Sequence, residues 1–157
     1  MSQPESITDA FLPLVPDIPE ADIPMFIAIL ERVAASNYRG WADSSSDPVE
    51  QVGLIACEAR EIEIAEFIES LYPDAAATIA SLMAKFPDLE ARYDAVLAGR
   101  SRIEQFRIQS EAELGGADFM GQFAAANTGA VAARFTSLSA CEEANSKFLA
   151  ALVGAAG

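Results

Sequence analysis

The sequence contains no histidine and only two cysteines, Cys57 and Cys141. Histidine is the commonest general base and the commonest ligand of transition metals, so its absence removes the usual centre of many enzymes. A cysteine nucleophile activated by histidine is excluded within the chain. Two cysteines in helical contexts are not the framework of a disulfide-rich secreted domain. The sequence therefore predicts no catalytic residues and a reducing, cytoplasmic location.

Basic residues are also scarce, since ten lysines and arginines stand against 24 aspartates and glutamates, giving a net charge of -14. Phosphate groups are bound by clustered lysine and arginine, so neither nucleic acid nor an anionic membrane is expected as a partner. No apolar run approaches the roughly 18 residues of a membrane span, and no signal peptide is recognisable. No glycine-rich loop follows a strand, which excludes the usual phosphate cradle.

Apolar, helix-forming sequence is abundant, and 52% of the residues are hydrophobic. Alanine, the best helix former, supplies much of that fraction, so the sequence predicts an all-α fold. The central element is a long helix from Asp47 to Tyr72. Asp47 caps it, Pro48 suits its first position and Pro73 ends it.

This central helix carries apolar residues on two opposite faces, with Leu54, Ile55 and Ile62 on the second face. A surface helix has one apolar stripe, so two stripes indicate burial on both sides, by other helices or by a second subunit. The pattern predicts self-association as a dimer, or binding to a protein partner.

The rest of the chain is predicted to be helical, with a loop that Tyr38 and Trp41 either anchor or offer to a ligand. The predicted segments are an N-terminal arm (1–22) with a short helix at 5–12, a single helical-bundle domain (23–153) and a frayed tail (154–157). Within the domain they are a helix at 22–36, a loop at 37–48, a helix at 74–86, a long helix at 88–114 ended by Gly115 and Gly116, and helical sequence at 117–153 broken near 127–129.

Several arginines lie on or beside predicted apolar stripes. Arg60 falls inside one, so either its head reaches solvent or it pairs with Glu63, Glu104 or Glu111. On the predicted helix at 88–114, a second group lies on or beside the apolar stripe: Arg100, Glu104, Arg107 and Glu111. This group is either a solvated edge or an interior ladder of arginine and glutamate, and an interior ladder could hold a small anion. The predicted interior polar cluster is Arg60, Glu63, Arg100, Glu104, Arg107 and Glu111.

The helix order resembles the ferritin-like superfamily, including rubrerythrin-like proteins, over residues 23–153. The resemblance implies an up-down helical bundle with a long crossover between the second and third main helices. It implies carboxylate ligands on all four helices, with Glu58-x-x-Glu61 and Glu142-x-x-Asn145 at the two Glu-x-x-His positions. Glu31 and Glu111 would supply the remaining carboxylates. The metal-ligand candidates are Glu58, Glu61, Glu111 and Glu142.

Both histidine positions of that pattern hold another residue, so the expectation is an incomplete di-iron site and no cofactor. All-oxygen ligation suits Mg²⁺, Ca²⁺ or Mn²⁺ better than iron used for redox chemistry. The leading prediction is a non-enzymatic acidic bundle that self-associates or binds a protein partner. The alternatives are a ferritin-like, metal-dependent oxidoreductase with an altered di-metal centre, and a module that binds small anions through interior arginines.

Overall fold

The computed structural model describes residues 4–157, in which the regular structure is seven α-helices and two short 3-10 segments, with no strand. This confirms the predicted all-α class. The helices are α1 (Ile7–Phe11), α2 (Ile23–Asp43), α3 (Pro48–Ser70), α4 (Ala75–Lys85), α5 (Leu89–Leu97), α6 (Arg102–Ala126) and α7 (Gly129–Ala155); the 3-10 segments are Leu12–Asp17 and Glu20–Asp22. No helix among the described residues has the length and apolarity that crossing a bilayer requires.

The described chain divides into two compact units, each built on one pair of long helices. The α2–α3 unit is Leu14–Tyr93. The α6–α7 unit joins the residues up to Pro13 to Asp94–Gly157, and the boundary falls within α5. The predicted arm of residues 1–22 is therefore shared between the units, and its residues 1–3 lie outside the described part.

The predicted central helix is confirmed as α3, which ends at Ser70, two residues before the predicted end at Tyr72. The Oδ1 atom of Asp47 accepts a hydrogen bond from the Val49 N–H at 2.9 Å, and Pro48 occupies the first helical position. Beyond its C-terminus, the Tyr72 hydroxyl donates to the Ala21 carbonyl at 2.6 Å. Burial raises the pKa of Tyr72. This bond ties the entry of the α2–α3 unit to the end of α3.

The predicted loop at 37–48 is wrong over its first seven residues, because α2 continues to Asp43. Tyr38 and Trp41 lie on the buried face of that helix, edge to face, with their ring centroids 5.4 Å apart. Burial of these two rings outweighs the low helix propensity of Gly40. They pack as core residues, and the connection to α3 shrinks to residues 44–47.

The predicted single helix at 88–114 is also wrong, because the chain breaks between α5 and α6. Gly99 has a φ of +74°, a left-handed conformation that favours glycine. Ser101 then caps α6: its hydroxyl accepts from the Glu104 N–H, while its own N–H donates to Glu104 Oε2 at 2.8 Å. This reciprocal capping box starts a new helix, which runs through Gly115 and Gly116 to Ala126. The break predicted near 127–129 is confirmed.

We expect this capping box to make the stability of the α6–α7 unit depend on pH. Hydrogen bonds from Ser101 lower the pKa of Glu104. The contribution of Glu104 is therefore complete above the ordinary glutamate pKa, and it is lost as the pH falls through the lowered folded pKa. Glu104→Ala should lower the thermal midpoint at pH 7 and match wild type at acid pH. Ser101→Ala should cost about 1 kcal/mol at neutral pH.

The control is Glu111→Ala, which removes an exposed carboxylate from the same helix without removing a cap. Thermal unfolding followed by circular dichroism measures all three variants. A midpoint difference for Glu104→Ala that is the same at pH 7 and at acid pH would contradict the assignment.

Candidate functional site

Each of the four long helices buries one glutamate. The exposed fractions are 8% for Glu31 in α2, 1% for Glu61 in α3, 2% for Glu113 in α6 and 1% for Glu142 in α7. The other buried polar residues of the described chain are Gln109, Asn145 and Ser146. No lysine or arginine belongs to this buried set within residues 4–157.

In the α2–α3 unit, Glu31 and Glu61 form a close pair. One carboxylate oxygen of Glu31 lies within 4.8 Å of one of Glu61. A single cation contacts oxygen ligands at 2.0–2.6 Å, so two oxygens at this separation suit one shared ion. The sequence analysis named both Glu31 and Glu61 as carboxylates of the ferritin-like pattern.

Glu58, the other half of the Glu-x-x-Glu motif, points elsewhere. Its Oε2 lies 2.7 Å from Arg39 Nη2, in an ion pair that links α2 and α3. Arg32 and Glu69 form a second link between the same helices, with two hydrogen bonds of 2.6 and 2.7 Å. Glu58 is therefore committed to an arginine. The prediction that it belongs with the metal-ligand candidates is not favoured by this geometry.

In the α6–α7 unit, an amide holds one of the buried carboxylates. The side-chain Nε2 of Gln109 donates to Glu113 Oε1 at 2.8 Å, one helical turn apart on α6. Both side chains are 2% exposed. The amide fixes the direction of the carboxylate. Sequence reasoning missed this pair.

The register of α6 against α7 is set by small polar contacts. The Ser110 and Ser146 hydroxyls each donate to the other residue's main-chain carbonyl, at 3.0 and 2.9 Å. Farther along, the Ser139 hydroxyl donates to the Ala117 carbonyl at 2.9 Å. These bonds bracket Glu113 on α6 and Glu142 on α7. The two glutamates and Asn145, which is fully buried, therefore lie on the packed faces of the hairpin.

Four members of the predicted interior polar cluster gather on the surface of the α6–α7 unit. Arg100, Glu104, Arg107 and Glu111 line a depression of about 510 Å³ together with Glu5 and Ile108. Three of the four are exposed, so the prediction of an interior position is wrong for Glu104, Arg107 and Glu111. The half-buried Arg100 donates to two main-chain carbonyls, those of Val96 and Pro4. Three carboxylates against two guanidiniums do not favour an anion in this depression.

The physical reason for the error is the rotation of α6. Glu111 and Glu113 are two residues apart, about 200° around a helix, so one faces solvent and the other the core. The sequence prediction selected Glu111, and the structure buries Glu113. The Gln109-x-x-x-Glu113 spacing, which places amide and carboxylate on one face, was the available signal.

The remaining two members of that cluster, Arg60 and Glu63, are half-buried in α3. Arg60 Nη1 lies 4.0 Å from Cys57 Sγ, one turn earlier. The expected pairing of Arg60 with a carboxylate stays a prediction.

Comparison with known protein families, with characterised proteins and with solved structures finds no match for this chain.

The buried glutamates are expected to destabilise the metal-free protein. A carboxylate removed from water needs a proton, a cation or several hydrogen bonds, and each imperfectly compensated group costs about 1–3 kcal/mol. Glu61→Gln and Glu142→Gln keep the side-chain shape and remove the charge. In the presence of a chelator, each should therefore raise the free energy of unfolding at pH 7, measured by urea denaturation.

Glu58→Gln is the matched control, because it removes the same charge from a half-buried glutamate that is paired with the exposed Arg39. It should lower the free energy of unfolding by about 0–1 kcal/mol. If Glu61→Gln and Glu142→Gln also lowered it, the carboxylates would be stabilising elements of the metal-free fold.

Proposed function

We propose that this protein binds a hard divalent cation through the buried pair Glu31 and Glu61 of the α2–α3 unit. The observation that carries the proposal is that Glu31 and Glu61, from two packed helices of the α2–α3 unit, are both buried and have carboxylate oxygens within 4.8 Å of each other. A charge in a protein interior is paired with an opposite charge, is neutralised by a proton or ligates a metal. Two carboxylates held this close repel each other, and in a chain without histidine a shared cation that prefers oxygen would relieve that repulsion.

The set of donor atoms supports Mg²⁺, Ca²⁺ or Mn²⁺ as the cation. The buried donors of the pair are carboxylate oxygens, and the sequence contains no imidazole. Zinc and redox-active iron usually take nitrogen or sulfur ligands as well. A ferritin-like di-iron centre fits poorly, because Glu58 is paired with Arg39 and Asn145 stands where that pattern has histidine. When bound, the cation would supply the positive charge that compensates the buried carboxylates, a role that bound protons could otherwise fill.

The order of the helices supports a ferritin-like topology for the chain as part of this proposal. Two long helices, α2 and α3, precede a connection from residue 71 to residue 101, and two more, α6 and α7, follow it. That connection carries α4 and α5, where the sequence predicted one small helix. A ferritin-like bundle has one long crossover between its second and third helices.

The proposal predicts that cations stabilise the metal-free protein. A cation present at about 100 times its Kd adds about 2.7 kcal/mol to the free energy of unfolding. The protein is stripped with a chelator and titrated with Mg²⁺, Ca²⁺ and Mn²⁺ by calorimetry, and its thermal midpoint is followed in parallel. Glu31→Gln and Glu61→Gln should each weaken binding.

Glu58→Gln and Glu111→Gln are the controls, because they remove glutamates that the structure places on an ion pair and on the surface. Both should bind like wild type. Equal loss in the controls would indicate a general effect of acidity. If none of the three cations released heat or raised the midpoint, and acid stabilised the protein instead, the carboxylates would be neutralised by protons and the proposal would fail.

Self-association is the second candidate function, favoured by exposed apolar residues on α3. Val49 and Val52 are 78% and 68% exposed, one turn apart, and Ile55 is exposed one turn after Val52. Leu54, which the sequence placed on the second apolar face for burial by other helices or a second subunit, is fully buried within the chain. The expected dimer is measured by light scattering at micromolar concentration. Val49→Lys combined with Val52→Lys should convert it to monomer, and a wild-type protein that is already monomeric would contradict the expectation.

A further inference from the structure

The N-terminal segment, residues 4–13, packs on α6, although the chain continues from it into the other unit. Its buried side chains are Ile7, Ala10 and Phe11 of α1, each 8% exposed or less. The Pro4 carbonyl accepts a hydrogen bond of 3.0 Å from Arg100, which lies just before α6. A helix of five residues is unstable alone, so α1 depends on this docking surface for its structure.

The next anchored stretch of the chain, residues 17–22, is held by the α2–α3 unit instead. The main-chain carbonyl of Asp17 accepts a hydrogen bond from the Lys85 ammonium group, and that of Ala21 accepts one from the Tyr72 hydroxyl at 2.6 Å. Both donors belong to Leu14–Tyr93, the same unit as their acceptors. Residues 17–22 are therefore anchored independently of residues 4–13.

Residues 12–16 connect these two anchored stretches and form a hinge. None of their side chains is buried, and Leu12 is 60% exposed. The hinge contains Pro13 and Pro16, and a residue that precedes proline favours extended over helical backbone. Leu12 has helical angles in the closed chain, with φ of −51° and ψ of −39°. An extended hinge therefore suits this sequence, and it would move residues 4–13 away from their own α6.

We propose that two copies of this chain exchange residues 4–13, so that the segment of each copy packs on α6 of the other. The exchange has a low cost, because the exchanged segment makes the same contacts on an identical surface. Both hinges are then extended, which is the conformation that their prolines favour. The partner that fits this surface is a second copy of the chain. The inference rests on the self-association proposed above, but it does not require the exposed valines of α3.

The test places a disulfide across the docking surface. A methyl group added at Gly115 of α6 would lie 3.9 Å from the Thr8 Oγ1 of α1, so Thr8→Cys combined with Gly115→Cys brings two thiols within reach of a bond. In an exchanged dimer this bond joins two chains, whereas in a closed monomer it joins a chain to itself. After oxidation in air, non-reducing electrophoresis should show the double variant at the mass of two chains. An oxidised product at the mass of one chain overturns the inference.

The matched controls are the single variants Thr8→Cys and Gly115→Cys. Both keep the native Cys57 and Cys141, as the double variant does. Each should run at the mass of one chain after the same oxidation. Linked chains in a single variant, at the level of the double variant, would trace the bond to another pair of thiols and would count against the exchange.

The hinge is tested by Pro13→Ala in the double-cysteine variant. This change removes the preference of Leu12 for extended backbone, so internally linked chains should increase at the expense of linked pairs. Pro19→Ala is the control, because Pro19 lies beyond the Asp17 anchor, and it should leave the ratio of the two products unchanged. An equal response to both changes would contradict the role of the hinge.

Light scattering on the wild-type protein separates this inference from the proposed self-association. A wild-type protein that is monomeric overturns both. A wild-type dimer whose double-cysteine variant links only within single chains leaves self-association standing and overturns the exchange. Linked pairs that persist after Val49→Lys and Val52→Lys are added support the exchange as the contact between copies.

Discussion

Carboxylates removed from water are the constraint on which the rest of the structure depends. The long helices have arginine and glutamate at their edges, where Arg32 meets Glu69 and Arg39 meets Glu58. Glutamate also occurs in the interior, once on each of the four long helices. A protein with a net charge of -14 therefore has two kinds of acidic residue. The outer ones keep their charge in water, while the inner ones depend on hydrogen bonds, protons or a cation for compensation.

The close packing of α6 and α7 depends on small polar side chains at their interface. Serine hydroxyls donate to main-chain carbonyls of the facing helix, as Ser110 and Ser146 do reciprocally, so two helical backbones approach without a large side chain between them. Glycine extends the same principle at Gly116 of α6, which faces the Glu142 carboxylate of α7. Small residues therefore let facing helices approach each other, in addition to filling the core.

Local signals in the sequence were enough to place the ends of some helices but not the direction in which each helix faces. Asp47, Pro48 and Pro73 bounded α3 because caps and prolines act on their own neighbours. The extension of α2 through Tyr38 depends on burial of aromatic rings by distant residues, which local propensity does not contain. The spacing of Ser101 and Glu104 matches a capping box and could have been recognised in the sequence. Glu104 was assigned to a ladder of arginine and glutamate instead. Glu113 was missed in favour of Glu111 because polar and apolar residues are mixed around α6, so no single stripe defines its inner side.

The hydrogen bond from Arg100 to the Pro4 carbonyl, 3.0 Å long, has a consequence for the order in which the protein is made. The chain leaves the ribosome N-terminal end first, at about 5–20 residues per second. Residues 4–13 therefore emerge early, yet the helices that they join are synthesised only after the whole of Leu14–Tyr93. The α2–α3 unit comes from one continuous stretch and is complete at that point. The α6–α7 unit is completed last, around a segment that is synthesised before the whole of the α2–α3 unit.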